Sequence, residues 1–168
     1  VMITSGRIKA LMGIGIASLI YWYGSSTFQV VVPTQAERCL KHSYFIHKMT
    51  DVFNRGDLVS FTLPRDLPPF FEKGQKFMKV LAAVEGDKVT ITTLGTTVLT
   101  SDGDSIYYPN DATAMLNKLQ LTPDAFSHSF TVPDGQLFVL GTTQNSYDSR
   151  FWGTVPQQQV TGVGYAIF

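Results

Sequence analysis

Lys79 stands before the apolar run Val80-Leu81-Ala82-Ala83-Val84, which ends in the turn Gly86-Asp87. A lysine in such a place either snorkels its ammonium to a sheet edge or is buried. Burial among apolar groups removes the solvation that favours the charged form, and the neutral amine becomes available as a general base. A second group of chemistry-bearing residues lies in Asn145-Ser146-Tyr147-Asp148-Ser149-Arg150-Phe151-Trp152-Gly153. Asp148 and Arg150, two apart, can pair across a turn, and Ser146 can offer its hydroxyl to a neighbouring amine. A surface turn with one ion pair and an aromatic plug would read the same way. The single cysteine, Cys39, excludes a disulfide framework and a cysteine-rich zinc site, and leaves a reactive thiol or a small buried apolar side chain. The three histidines, His42, His47 and His128, do not make a metal site by spacing.

Short runs rich in β-branched and aromatic residues must position these groups. They cover 29–32, 44–47, 58–62, 76–84, 88–93, 95–100, 105–108, 136–140 and 162–167, each bounded by Gly, Pro, Asn or Asp, which predicts a mostly β domain. The turn Arg55-Gly56-Asp57 leads into one of them. One short helix is predicted, capped by Asn110 or Asp111 and running through Leu119, with Ala112, Met115, Leu116 and Leu119 on one face and Pro123 ending it. The stretch 62–71, with three prolines, reads as an extended loop.

Upstream, no charged residue occurs between Lys9 and Glu37, and 10–28 is mostly apolar, long enough as a helix to cross a hydrocarbon core of about 30 Å. Arg7 and Lys9 predict a cytoplasmic N-terminus (1–9) and place 29–168 on the far side, with Tyr21, Trp22 and Tyr23 toward the outer leaflet. A cleaved export signal and a buried helix are the competing readings. The 168 residues suit one domain, and 44% apolar residues with 15% charged exclude overall disorder. Thirteen basic against thirteen acidic residues leave no positive field for a nucleic-acid backbone.

Three segments in order behind an apolar N-terminus, Arg55-Gly56-Asp57, Lys79 with Gly86-Asp87, and Asn145 through Gly153, resemble the conserved boxes of the signal peptidase I (S26) superfamily. The short stretch between Gly141 and Ser146, and Thr142-Thr143 in place of Asp-Asn, resemble the conjugative-transfer branch, the TraF-type and TrhP-like peptidases that mature pilins for type IV secretion. The resemblance implies a signal-peptidase-like β domain with a small cap insertion, about 90–131, and an acyl-enzyme mechanism without cofactor. It puts Cys39 at the nucleophile position, with Lys41 in place of Pro, Ser43 in place of Gly and Phe45 at the aromatic site. Ser43 is the alternative nucleophile, at the expense of Met49 at the aromatic site. Glu37 replaces the hydroxyl residue that assists the oxyanion, which leaves the Cys39 N–H as donor.

The same resemblance implies a Cys39/Lys79 dyad, with Ser146 orienting the lysine and Asp148 with Arg150 bracing the loop. The implied substrate is a pilin precursor in the same inner membrane, with small side chains beside the cut, processed on the periplasmic side and released linear or cyclised. Other conjugation proteins are implied neighbours. An inactive S26-like assembly protein of the pilus or secretion apparatus is the alternative.

Overall fold

The computed structural model describes residues 5–32, 40–42 and 44–167. A helix, α1 (Ser5–Thr27), runs into β1 (Phe28–Val31), and β2 (Phe45–Lys48), β3 (Leu58–Thr62) and β4 (Lys76–Val84) come after it. Next come β5 (Lys88–Thr92), β6 (Gly95–Leu99), β7 (Ser105–Pro109), α2 (Thr113–Leu119), α3 (Pro123–Phe126) and β8 (His128–Thr131). The chain closes with β9 (Gln136–Leu140), α4 (Ser149–Trp152), β10 (Val155–Pro156) and β11 (Val160–Ala166). The architecture is mostly β, as expected.

The strands form two antiparallel sheets among the described residues. The larger has the order β1-β2-β11-β3-β4-β9-β10, and the smaller has the order β7-β6-β5-β8. The smaller sheet is inserted between β4 and β9, so the chain leaves the large sheet at Val84 and returns at Gln136. Both crossings are tied together, because Gly86 N–H donates to the Val132 carbonyl (3.0 Å) and Val132 N–H to the Asp87 carbonyl (2.9 Å). Gly86 takes φ +83°, a left-handed turn that a side chain would strain.

Burial follows the pleat of β4. Phe77, Lys79 and Leu81 share one buried face, as residues two apart must. A register shift against β9 between Leu81 and Ala83 then hands the strand to a second core. Phe61, Phe77, Leu81, Val139, Tyr147 and Trp152 belong to the first core, and Ala82, Ala83, Val89, Ile91, Leu116 and Phe138 to the second.

Several sequence expectations are corrected. The helix after β7 starts at Thr113, not directly at Asn110 or Asp111; Asp111 accepts from Thr113 N–H (2.8 Å) and Oγ1 (2.6 Å), which holds its carboxyl below the usual range, whereas Asn110 turns inward. Pro123 opens α3 as well as following α2, with Thr122 as its cap. Strand β8 is not predicted, because His128-Ser129-Phe130-Thr131 carries little apolar alternation and pairs on the edge of the small sheet.

Helix α1 is 23 residues long and exposes Leu11, Met12, Ile14, Ile16, Leu19, Ile20 and Trp22. Among the described residues no helix is long and apolar enough to cross a membrane. Lys9, three glycines and three serines between 9 and 26 dilute the apolar content of α1.

His47 on β2 is buried, and among the described residues its Nε2 has no hydrogen-bond partner. Gly162 on β11 leaves room for it; a Cβ there would press on the ring and on the Lys48 carbonyl. Desolvation, and then the charge of Lys76 on β4, hold the imidazole below its ordinary value near 6.5. The native state therefore keeps His47 neutral while the unfolded chain takes up a proton, and stability is complete above pH 6.5 and lost as pH falls. Thermal midpoints measured from pH 7.5 to 5 should fall, and His47→Gln should flatten that dependence.

Candidate active site

Lys79 is fully buried on β4, opposite Val59 of β3 in register. Its position on the inward face, between Phe77 and Leu81, is what places an amine in the core. Its Nζ donates to Ser146 Oγ at 3.0 Å, and Ser146 is itself fully buried. The Phe77 ring centroid lies 5.9 Å from the amine, and no carboxylate pairs with it among the described residues. Snorkelling to a sheet edge is thereby excluded. What the geometry offers is a buried amine whose side-chain hydrogen-bond partner among the described residues is one hydroxyl.

The loop that carries Ser146 is locked by Asp148. Its carboxylate accepts from Arg150 Nε (2.8 Å) and Nη2 (3.0 Å), a two-pronged ion pair with both side chains fully buried. It also caps α4 through Arg150 N–H (3.2 Å) and reaches Gly141 N–H at the end of β9 (2.9 Å). Arg150 adds a bond from Nη2 to the Ser146 carbonyl at 3.4 Å. The segment is therefore an interior clamp and not the surface turn that residue chemistry alone allows. Ser149 Oγ accepts from Val139 N–H (3.0 Å), which fastens α4 to β9.

Tyr147, next to Ser146, joins an aromatic cluster with Phe70, Phe71 and Phe151. Tyr147 packs edge-on to Phe70 at 5.0 Å between centroids, and its hydroxyl donates to the Pro68 carbonyl at 3.2 Å. Desolvation pushes that phenol above its usual value, and the nearby Arg65 opposes the shift. Arg65 in turn donates to the Trp152 carbonyl, so the proline-rich loop closes over the α4 region.

The Arg55-Gly56-Asp57 turn and the Gly86-Asp87 turn meet. Arg55 forks onto Asp87 at 2.7 to 3.2 Å, and Asp87 also accepts from Val84 N–H (2.9 Å) and Ser101 N–H (3.1 Å). Gly56 N–H and Asp57 carbonyl bond the Leu81 backbone at 2.8 Å each. These contacts hold β4 at Leu81, two residues beyond the lysine, and at its last residue, Val84.

Cys39 and Ser43 lie outside the described residues. The described segment Leu40–His42 reaches the site by a bond from Lys41 N–H to Thr142 Oγ1 at 3.1 Å, and Leu40 is buried. Thr142 directly follows Gly141, the residue that Asp148 holds. Sequence reasoning misses Asn110, whose side chain bonds the Gly141 carbonyl and whose own carbonyl receives Arg150. Its only signal is a polar residue at a predicted helix start, where capping is the simpler reading.

The family model of signal peptidase, peptidase S26, matches residues 7–168. The chain belongs to that family. It is 32% identical over 116 residues to "Probable signal peptidase I-1" of Synechocystis, covering 67% of this chain and 52% of the relative. It is 43% identical over 51 residues to "Signal peptidase I" of Aquifex aeolicus, covering 30% and 20%. A crystal structure of a signal peptidase I from Enterococcus faecalis is similar at 26% identity and a TM-score of 0.43, covering 67% of this chain and 96% of the other. The chain thus spans about half or less of the length of these two curated relatives.

Proposed function

We propose that this chain is a membrane-attached S26 peptidase that cleaves with a Cys39/Lys79 dyad, and that its substrate is a pilin precursor of a conjugative type IV secretion system. The single observation that carries the peptidase reading is the fully buried Lys79 amine on Ser146, braced by the Asp148–Arg150 clamp. The bond from Lys41 to Thr142 brings the segment between Cys39 and Ser43 to the loop that carries Ser146, and the choice of the thiol rests on the resemblance. The pilin assignment rests on the short Gly141–Ser146 stretch and Thr142-Thr143.

In this reading the Lys79 amine takes the Cys39 thiol proton, and the thiolate attacks the scissile carbonyl carbon. The tetrahedral intermediate collapses, the carbon–nitrogen bond breaks, and the Lys79 ammonium returns its proton to the leaving amine. Water then attacks the thioester, freeing the thiol and a carboxylic acid. An amino group attacking instead would form a new peptide bond and close the pilin into a ring. Ser146 holds the lysine at the correct angle throughout.

Attachment is assigned to α1, whose exposed apolar side chains would lie in lipid, with 29–168 periplasmic and the small sheet as a cap. The full chain should resist carbonate extraction from inner membranes, and a chain beginning at Phe28 should not.

Pilin processing in cells, read by mass spectrometry of the mature subunit, tests the chemistry. Cys39→Ala should abolish processing, Cys39→Ser should retain a fraction, and Ser43→Ala should leave it near wild type. Loss confined to Ser43→Ala would move the nucleophile. Processing retained by every variant, Lys79→Ala included, would leave an inactive assembly protein. A mature pilin lighter by one water than the linear form would establish cyclisation.

A further inference from the structure

Asn110 stands where β7 ends and the insertion turns toward α2, and it is 8% exposed. Three of its polar groups each reach a different segment. Its N–H donates to the Leu94 carbonyl (3.1 Å), and the neighbouring Ala112 N–H donates to Thr93 (2.8 Å), which fastens it to the β5–β6 turn. Its side-chain Nδ2 donates to the Gly141 carbonyl at 2.8 Å, and its own carbonyl accepts from Arg150 Nη1 at 3.0 Å. Gly141 and Arg150 are also the two residues that Asp148 grips. One residue of the insertion therefore holds both ends of the loop that presents Ser146 to Lys79.

We infer that Asn110 is a positioning residue for proton transfer by Lys79, acting through the loop 141–150. The inference rests on the dyad reading above. Three features support positioning over simple packing. The side chain spends its donor on a main-chain carbonyl at the end of β9, next to the residue that bonds Lys41. Its main chain reaches the guanidinium whose other nitrogen touches the Ser146 carbonyl. Both bonds are buried, and although the main-chain bond to Arg150 survives any substitution, water cannot replace the Nδ2 bond when the side chain is cut back. Loss of the Gly141 bond frees that strand end, and a displacement near 1 Å at reacting groups typically lowers rate by about 100-fold.

The test uses the full chain in detergent micelles with an internally quenched peptide that has alanines flanking the scissile bond. Asn110→Ala should lower kcat by about 10- to 100-fold with KM within about twofold, and should move the acid limb of the kcat pH profile. Asn110→Ser, a smaller donor, should lose less, and it carries the comparison if the alanine variant does not fold. Combined with Asp148→Asn, Asn110→Ala should lose less than the product of the two single losses, since both act on one loop. Wild-type kcat and an unmoved pH profile in both Asn110 variants would overturn the inference, as would a kcat loss that only tracks thermal destabilisation. Lys79→Ala separates the two levels: retained cleavage there removes the dyad reading and this inference with it. Lost cleavage there with unaffected Asn110 variants removes the inference alone.

Discussion

Replacing Lys79 with methionine is expected to lower kcat for peptide cleavage by at least about 10³-fold while the thermal midpoint holds or rises. Methionine fills nearly the same volume between Phe77 and Leu81 but carries no proton, so it removes the base and little of the packing. A positioned general base typically contributes 10² to 10⁴, and a nucleophile that depends on its base to be activated loses toward the upper end. Stability should move the other way. An amine in an apolar core is costly to bury, and among the described residues Lys79 has a single hydroxyl partner there. A residue kept for packing would do the reverse, with substitution lowering the melting temperature and leaving turnover intact. Kinetics on the quenched peptide together with calorimetry separates the cases, and cleavage within tenfold of wild type would end the dyad assignment.

Much of this arrangement is legible in the sequence. The strand predicted over 76–84 has the bounds of β4, and alternation from Phe77 to Leu81 puts Lys79 on their side. What alternation cannot settle is which side is covered, because that depends on α4 and the proline-rich loop folding over it. Asp148 and Arg150 are readable as a pair through their spacing; their burial is not, since Gly141 and Asn110 close it from 7 and 40 residues away. The Arg55–Asp87 pair is invisible for the same reason, although each residue lies in a segment that its motif singles out. Strands such as β8 and β10 have too few residues with period-two patterning to stand out, and exist because a neighbour offers an edge. Helix α1 differs: a long uncharged run reads as a spanning segment, yet its glycines and serines hold its hydropathy down, and among the described residues no helix is long and apolar enough to cross a membrane.

Arg150→Met is expected to destabilise the fold by about 3–5 kcal/mol, because it leaves the Asp148 carboxylate buried without its counter-charge. For a chain of this size that corresponds to a melting temperature lowered by roughly 10 °C. The carboxylate would keep its bonds from Gly141 N–H and the residue 150 N–H, so it would remain in place as an uncompensated charge. The Asn110 and Ser146 carbonyls would lose their guanidinium donor at the same time. Adding Asp148→Asn to Arg150→Met should restore part of the loss, since an amide can still accept from Gly141 and carries no charge. A double variant more stable than the single one is the signature of a charge penalty, and urea unfolding with matched slopes measures it. If the double variant were instead less stable by the sum of the two single effects, the carboxylate would be contributing through its cap and strand bonds independently of arginine, and the clamp would be two separate devices. Recovery of stability should not restore turnover: Ser146 is held through the Arg150 guanidinium as well, so the double variant is expected to fold better than Arg150→Met and still cleave slowly.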